Sequence, residues 1–180
     1  MKLSIIIPAH NEEKRITETL KSYLAYFNSI SKNNKSFSYN ISIVINNTSD
    51  KTSEIVAAFQ KKDKHIFSLN FKQGGKGFAV IEGFKQALED KRNDLIGFVD
   101  ADMSTSPEEF FKLVENIRNY DGIIASRYIR GAYVMPKQTF TRIFVSRAFN
   151  LLIRIMFMIG YRDTQCGAKI FKRKRNRFFL

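Results

Sequence analysis

Apolar runs of strand length recur along the chain at Leu3 to Pro8 (LSIIIP), Ile41 to Asn46 (ISIVIN), His65 to Phe71 (HIFSLNF), Asp94 to Asp100 (DLIGFVD) and Gly122 to Ser126 (GIIAS). Their wealth of Ile, Val and Phe is that of strands buried on both faces. Between them, polar and apolar positions follow a helical period over Glu12 to Phe27, Lys51 to Lys62, Lys76 to Asp90 and Pro107 to Asn119. Strand and helix alternate, which predicts an α/β fold with a doubly wound, mostly parallel, Rossmann-like sheet. Asn28 to Asn40 is polar and without period, and reads as a surface loop before the second strand. No internal repeat is present, and 180 residues with 44% apolar content fit a single domain over residues 1–180.

After Ser126 the pattern changes. Lys137 to Gly160 reads as one long amphipathic helix with a wide apolar arc and a narrow polar stripe of Arg142, Ser146, Asn150 and Arg154, spaced to share one side. Its apolar stretches are far shorter than the roughly 20 residues of a bilayer span, and Arg154 interrupts them. The choice is a core helix or a helix lying in a membrane interface; the width of the arc and its basic flanks favour the interface.

Charge sharpens this. A formal net charge of +13 suits nucleic acid, an anionic membrane surface or a phosphate-rich small molecule, and does not choose among them. Much of it lies in Phe171 to Leu180 (FKRKRNRFFL), which reads as a solvated or membrane-facing tail. The single cysteine, Cys166, excludes an intrachain disulfide and fits a reduced, cytosolic setting; His10 and His65 are too scattered to suggest a zinc site. The first apolar run is too short for a signal peptide and passes at once into Pro8 and acids, as a strand does.

In a parallel α/β sheet, ligands bind where the strands end and the loops leave for the helices. PAHNEE, NNTSDKT, QGGKG and DADMS follow the first four strands, so four loops rich in polar groups converge on one crevice. Asp100 and Asp102, two apart on a strand, would project the same way and repel unless a cation joins them; Mg²⁺ or Mn²⁺ takes such oxygen ligands together with substrate phosphates. The plainer reading is a strand end and a turn cap, since a lone D-x-D is a weak motif. Lys76 and the glycines of QGGKG suit an anion, or form a simple tight turn; the spacing is neither a P-loop nor a dinucleotide fingerprint. Asn11 and Glu12 can hydrogen-bond a base or ribose, or Asn11 can cap a helix, as can Ser49 or Asp50. Arg127, Arg130 and Arg142 suit the oxygens of a second, phosphorylated ligand, or are solvated charge.

Taken together and in order, SIIIPAHNEE, NNTSDKT, QGGKGFAVIEG, FVDADMSTSPEE, ASRY and RDTQCGAKIFKR resemble the inverting family-2 glycosyltransferases of GT-A fold, over essentially the whole chain. Within them, RDTQCGAKIF is most similar to the dolichyl-phosphate and polyprenyl-phosphate glucosyl- and mannosyltransferases. The resemblance implies that Pro8, Ala9, Asn11 and Glu12 border the base and ribose of a nucleotide sugar, with Asn47 and Asp50 closing that pocket. It implies Lys76 and Gly77 against the nucleotide, and Asp100, Ala101 and Asp102 around the metal and the diphosphate sugar. It makes Arg127 and Arg142 the holders of a lipid phosphate, and sets Asp163, Gln165 and Cys166 in a loop near sugar and acceptor. Asp102, Asp100, Arg127, Arg142 and Asp163 would carry the catalysis.

This chain departs from the pattern with Asn46 and Asn47 where paired aspartates are common, and with Ser104 where the mannosyltransferases have Gln. Relatives also continue beyond AKIFKR, so the chain reads as a truncated or compact form. The expected activity is metal-dependent, inverting transfer of a hexose, UDP-glucose being the favoured donor, to dolichyl or polyprenyl phosphate. Residues 1–105 would form the nucleotide-sugar half and 106–180 the acceptor and membrane half, at the cytosolic face of a membrane. The alternatives are a GDP-mannose donor, or a basic module that binds nucleotide or nucleic acid without catalysis; the core-like spacing of the aromatic residues speaks against base stacking.

Overall fold

The computed structural model describes residues 1–127, 140–160 and 163–173. Its sheet contains β1 (Lys2–Ala9), β2 (Ser38–Asn46), β3 (Ile66–Phe71), β4 (Leu95–Phe98), β5 (Gly122–Ile124) and β6 (Lys169–Lys172), in the order β3-β2-β1-β4-β6-β5. β1, β2, β3 and β4 are mutually parallel. β6 runs antiparallel to both β4 and β5, so the sheet is mixed at one side.

The helices are α1 (Ile16–Asn33), α2 (Thr52–Lys62), α3 (Lys76–Glu89), α4 (Pro107–Asn116) and α5 (Phe140–Phe157). Two-residue alternation in β1 divides the core. Leu3, Ile5 and Ile7 share one cluster with Leu20, Tyr23 and Phe27 of α1 and Phe110 and Val114 of α4. Ile6 shares the other with Val44, Phe98, and Ala79, Phe84 and Ala87 of α3. The result is three layers, with α3 packed on the second face against β1, β2 and β4. Ser106 caps α4 in a reciprocal box with Glu109, and Pro107 opens the first turn, so this helix starts where the sequence marks its start.

Two expectations are corrected. Asn28 to Asn40 is not one loop: α1 runs on to Asn33, because Ile30 packs on the core beyond Phe27 and carries the helix through a polar stretch, and β2 already begins at Ser38. Phe171 and Lys172 are not tail but the end of β6, whose Ile170 is fully buried. The remainder of that run, residues 174–180, lies outside the described residues, as do Arg130 and the expected helix start at Lys137.

Candidate active site

The carboxyl ends of β1, β2 and β4 meet the start of α3 around a crevice of about 290 Å³. Pro8, Glu12, Lys76, Asp100, Ala101 and Asp102, all expected there, line it. So do His10, Asn46 and Gly75, which lie in the PAHNEE, NNTSDKT and QGGKG loops but were not among the residues expected to bind the nucleotide sugar. A larger cavity of about 530 Å³ opens between Lys2, Asn40, His65 and Arg92 at the opposite strand ends; its one carboxylate, Asp90, is already held by Lys2 and Arg92. The chemistry concentrates in the smaller crevice.

Asp100 and Asp102 reach it by a route the strand argument did not foresee. β4 ends at Phe98, and the chain turns through Ala101 and Asp102 with Met103 in the left-handed region at φ 59°. That conformation is costly for a long side chain, and here it brings the Ser104 N–H back onto Asp102 Oδ1 at 3.0 Å. The turn is anchored from below by α1: Thr19 Oγ1 donates to the Ala101 carbonyl (2.7 Å) and the Tyr23 hydroxyl to the Thr105 carbonyl (2.9 Å). Burial would raise the Asp102 carboxyl, but the hydroxyl and N–H of Ser104 and the nearby Arg15 charge outweigh it and hold the group below the usual carboxylate range. Ser104 thus fixes the second aspartate.

Asp100 is paired with Lys76 Nζ at 2.6 Å. On its other side lies Gly167: a β-carbon there would sit 2.0 Å from Asp100 Oδ2, so only glycine lets this loop approach so closely. Lys76 follows Gly75, whose φ of +114° suits glycine alone. With its amide oriented to satisfy both ends, Asn46 donates to the Ala9 carbonyl (3.1 Å) and accepts from the Gly75 N–H (3.0 Å), while His10 Nδ1 meets the Asn46 carbonyl at 2.9 Å. A short polar side chain at the end of β2 therefore sets the glycine turn against β1.

Ala9, Asn11, Asn47, Asp50 and Gly77 do not line the crevice. Ala9 is fully buried in β1. Asn11 Oδ1 accepts from Ser49 N (2.9 Å), Glu12 N donates to Thr52 Oγ1 (2.8 Å), and Glu13 N donates to Asp50 Oδ2 (3.0 Å). These contacts lock the first two loops together, and neither Asn11 nor Asp50 is a helix cap: α1 and α2 begin after Arg15 and Lys51 without a side-chain cap. The Asp50 carboxyl, which burial would raise, is kept low by hydrogen bonds from Thr52 and Glu13. Asn47 continues the β2–β3 ladder through N–H to the Phe71 carbonyl (2.8 Å), and Gly77 lies in the exposed first turn of α3.

Residues 163–167 pack against the crevice's Asp100 through Gly167. Asp163, 3% exposed, accepts from Arg127 N (3.0 Å), Nε (2.9 Å) and Nη2 (2.9 Å), a bidentate pair that holds Arg127 at the end of β5. Burial works to raise the Asp163 carboxyl, yet Arg127 brings it below its ordinary range. Burial pushes the neighbouring Cys166 thiol up, so it stays protonated and inert. Lys169 of β6, also absent from the sequence reading of the site, donates from Nζ to the Thr164 carbonyl (3.0 Å).

α5 is oriented by that same loop. Ser146 Oγ donates to Gln165 Oε1 (3.1 Å), and buried Asn150 Oδ1 accepts from Thr164 Oγ1 (2.9 Å). The polar stripe thus faces the protein in its middle, and apolar residues remain outside: Val145, Leu151, Leu152, Ile155, Met156 and Phe157 are each more than half exposed. The Arg142 side chain lies outside the described residues. No described helix is long and apolar enough to cross a membrane.

The donor set defines what the crevice can hold. Among the described residues there is no group of three or more His, Cys, Asp or Glu side chains placed for a metal. A two-carboxylate set fits a hard divalent ion that completes its shell with substrate phosphates and water.

This architecture, with an aspartate turn at the exit of the fourth strand, is that of the GT-A glycosyltransferases. The mannosyltransferase PcManGT of Pyrobaculum calidifontis, solved in complex with GDP-Man and Mn²⁺, superposes with a TM-score of 0.58 at 15% identity, covering 95% of this chain and 44% of that one. The chain belongs to glycosyl transferase family 2, whose profile matches residues 4–178. It is 35% identical over 176 residues to dolichyl-phosphate beta-glucosyltransferase ALG5A of Trichomonas vaginalis, covering 96% of this chain and 53% of that protein. To the dolichyl-phosphate beta-glucosyltransferase of Homo sapiens it is 27% identical, covering 96% and 55%. The chain spans about half the length of the curated relatives it matches.

Proposed function

We propose that the chain transfers a glucosyl unit from UDP-glucose to dolichyl phosphate, with inversion at the anomeric carbon. The reading is carried by one observation: Asp100, Asp102 and Lys76 line a single crevice in a family-2 chain whose relatives are named for glucosyl transfer to dolichyl phosphate. Pro8 and Glu12 border the base and ribose, while Asp102, kept ionised by Ser104, and Asp100 hold Mg²⁺ or Mn²⁺. A divalent ion held there neutralises charge that develops on the leaving diphosphate.

The acceptor phosphate is already ionised near neutral pH, so the chain need not supply a strong general base. A phosphate oxygen forms the new bond to the anomeric carbon as the bond to the donor's diphosphate oxygen breaks, and the leaving nucleoside diphosphate keeps that electron pair. Arg127, held in one orientation by Asp163, and Arg142 align the attacking oxygen, a gain from proximity. Gln165 sits where sugar and acceptor meet. The exposed apolar side of α5 and the net charge of +13 support a peripheral position at the anionic, cytosolic face of a membrane, where the lipid acceptor is reached.

Asp102→Asn tests this directly. It removes a carboxylate at an exposed position, so transfer to dolichyl phosphate should fall by roughly 10²–10³-fold while the melting temperature holds; full activity would overturn the reading. A thermal-shift panel of UDP-glucose, GDP-mannose and UDP-GlcNAc, with and without Mn²⁺, tests the donor. At about 100 times its Kd a ligand adds about 2.7 kcal/mol of stability, so UDP-glucose should raise the melting temperature only with metal. A shift with GDP-mannose alone would replace the donor.

A further inference from the structure

Lys169 does not line the crevice, but it pairs with Phe98, two residues before Asp100, and has no role in the reading above. Antiparallel pairing sets it opposite Phe98, on the sheet face that carries α3, and its ammonium lies over the Phe98 ring at 5.2 Å from the centroid. The stem is thereby fixed, and Nζ gives one of its three N–H bonds to the Thr164 carbonyl at 3.0 Å. The carboxylates around it are engaged with other cations: Asp100 with Lys76 (2.6 Å) and Asp163 with Arg127 (2.9 Å). A partly buried ammonium without its own carboxylate is costly to maintain, and such a group is stabilised when an anion enters beside it. Burial works to lower its affinity for a proton, and Gly167, two residues before it, packs directly on Asp100, so β6 carries Lys169 to the neighbourhood of that carboxylate.

We propose that Lys169, together with Lys76, binds the diphosphate of the nucleotide donor, so that a strand from the end of the described chain supplies a cation to the leaving group. This rests on the glycosyl-transfer reading. The two lysines come from different elements: Lys76 opens α3 and pairs with Asp100, while Lys169 stands in β6, two residues after the Gly167 that packs on Asp100. The diphosphate would lie between them as the Lys76–Asp100 pair opens toward it. Lys169 is absent from D-x-D reasoning because its approach depends on β6 pairing with β4.

The test compares Lys169→Met and Lys169→Arg with the unaltered chain, titrating UDP and uridine by calorimetry in Mn²⁺ and measuring transfer kinetics. Lys169→Met should weaken UDP roughly tenfold, leave uridine unchanged, and lower kcat/KM for UDP-glucose by a larger factor, since charge grows on the diphosphate during transfer. Lys169→Arg should recover most of the UDP affinity, and the melting temperature of the Met variant should not fall. Unchanged UDP affinity in Lys169→Met would overturn the proposal, as would equal losses for UDP and uridine, or a change confined to the KM for dolichyl phosphate, which would put the lysine on the acceptor. Failure of the unaltered chain to bind UDP at all would instead remove the glycosyl-transfer reading beneath it.

Discussion

Gly167→Ala is the smallest change that should separate activity from stability. The added methyl carbon would lie 2.0 Å from Asp100 Oδ2 and 2.4 Å from its Cγ. Non-bonded heavy atoms settle near ~3.5 Å, so either the carboxylate or the 163–167 loop must move by roughly 1.5 Å. The carboxylate is the softer of the two, because the loop is tied by Asp163 to Arg127 and by Thr164 to Asn150. Asp100 then leaves Lys76, and the crevice loses the arrangement of the residues proposed above to hold metal and diphosphate. A displacement of about 1 Å at a reacting centre costs about 10²-fold, close to 2.7 kcal/mol in kcat/KM. Overpacking costs about 1–3 kcal/mol in stability, and each kcal/mol shifts the melting temperature of a chain this size by about 2–4 °C. The assay is the initial rate at which radiolabelled glucose passes from UDP-glucose to dolichyl phosphate in detergent micelles, beside a thermal melt. Gly160→Ala, where a β-carbon meets nothing within 4 Å, is the control and should be neutral. A Gly167→Ala enzyme within threefold of the unaltered chain would refute the close packing of this loop on Asp100.

Acid should weaken the fold partly through Asp163. Its carboxyl is held below the ordinary value in the folded chain, so its stabilisation is complete above about pH 3.9 and is lost as pH falls through the depressed folded value. Asp163→Asn removes the carboxylate charge from its pair with Arg127, whose side chain is 24% exposed, and should cost about 2 kcal/mol at pH 7 after discounting the fully buried case, with a shallower fall in melting temperature below pH 4; parallel acid limbs for the two proteins would contradict it. On α5, Met156→Ser with Phe157→Ser changes two side chains that are each 65% exposed. It should leave the melting temperature within about 2 °C yet weaken binding to vesicles containing anionic lipid by tenfold or more in a flotation assay, since about 1.5–3 kcal/mol of burial is lost for each. Unaltered flotation would remove the membrane role of this helix.

Much of this architecture is legible in the pattern of residues. Runs of Ile and Val separated by amphipathic segments mark the parallel half, and polar loops after each strand mark the crevice edge, because both follow from local periodicity. β6 was hidden because four residues, Lys-Ile-Phe-Lys, carry too little period among basic neighbours, and their strand character comes from pairing with distant β4. The missed roles of Gly167 and Lys169 follow from that omission. Asn11 and Asp50 were ambiguous in another way: side chains apt for capping a helix also bridge neighbouring loops, and here the contact distances show the bridges. On α5 the wide apolar arc was visible, and its outward direction depends on Thr164 and Gln165 offering partners to Asn150 and Ser146.

The place of β6 in the sheet also orders the chain's assembly in time. Strands β1 to β4 lie within the first part of the chain and join through short crossovers, so a nascent polypeptide can build that half as it emerges. Among the described strands, β5 joins the sheet through β6 alone, and Arg127 follows it closely in the chain. Until Lys169 to Lys172 are synthesised and slide between β4 and β5, neither the Arg127–Asp163 pair nor the packing of Gly167 on Asp100 can form. Long-range pairing of this kind forms slowly, after local contacts. The Asp100 side of the crevice is therefore completed last, and an incomplete chain holds its aspartate turn with nothing packed against it.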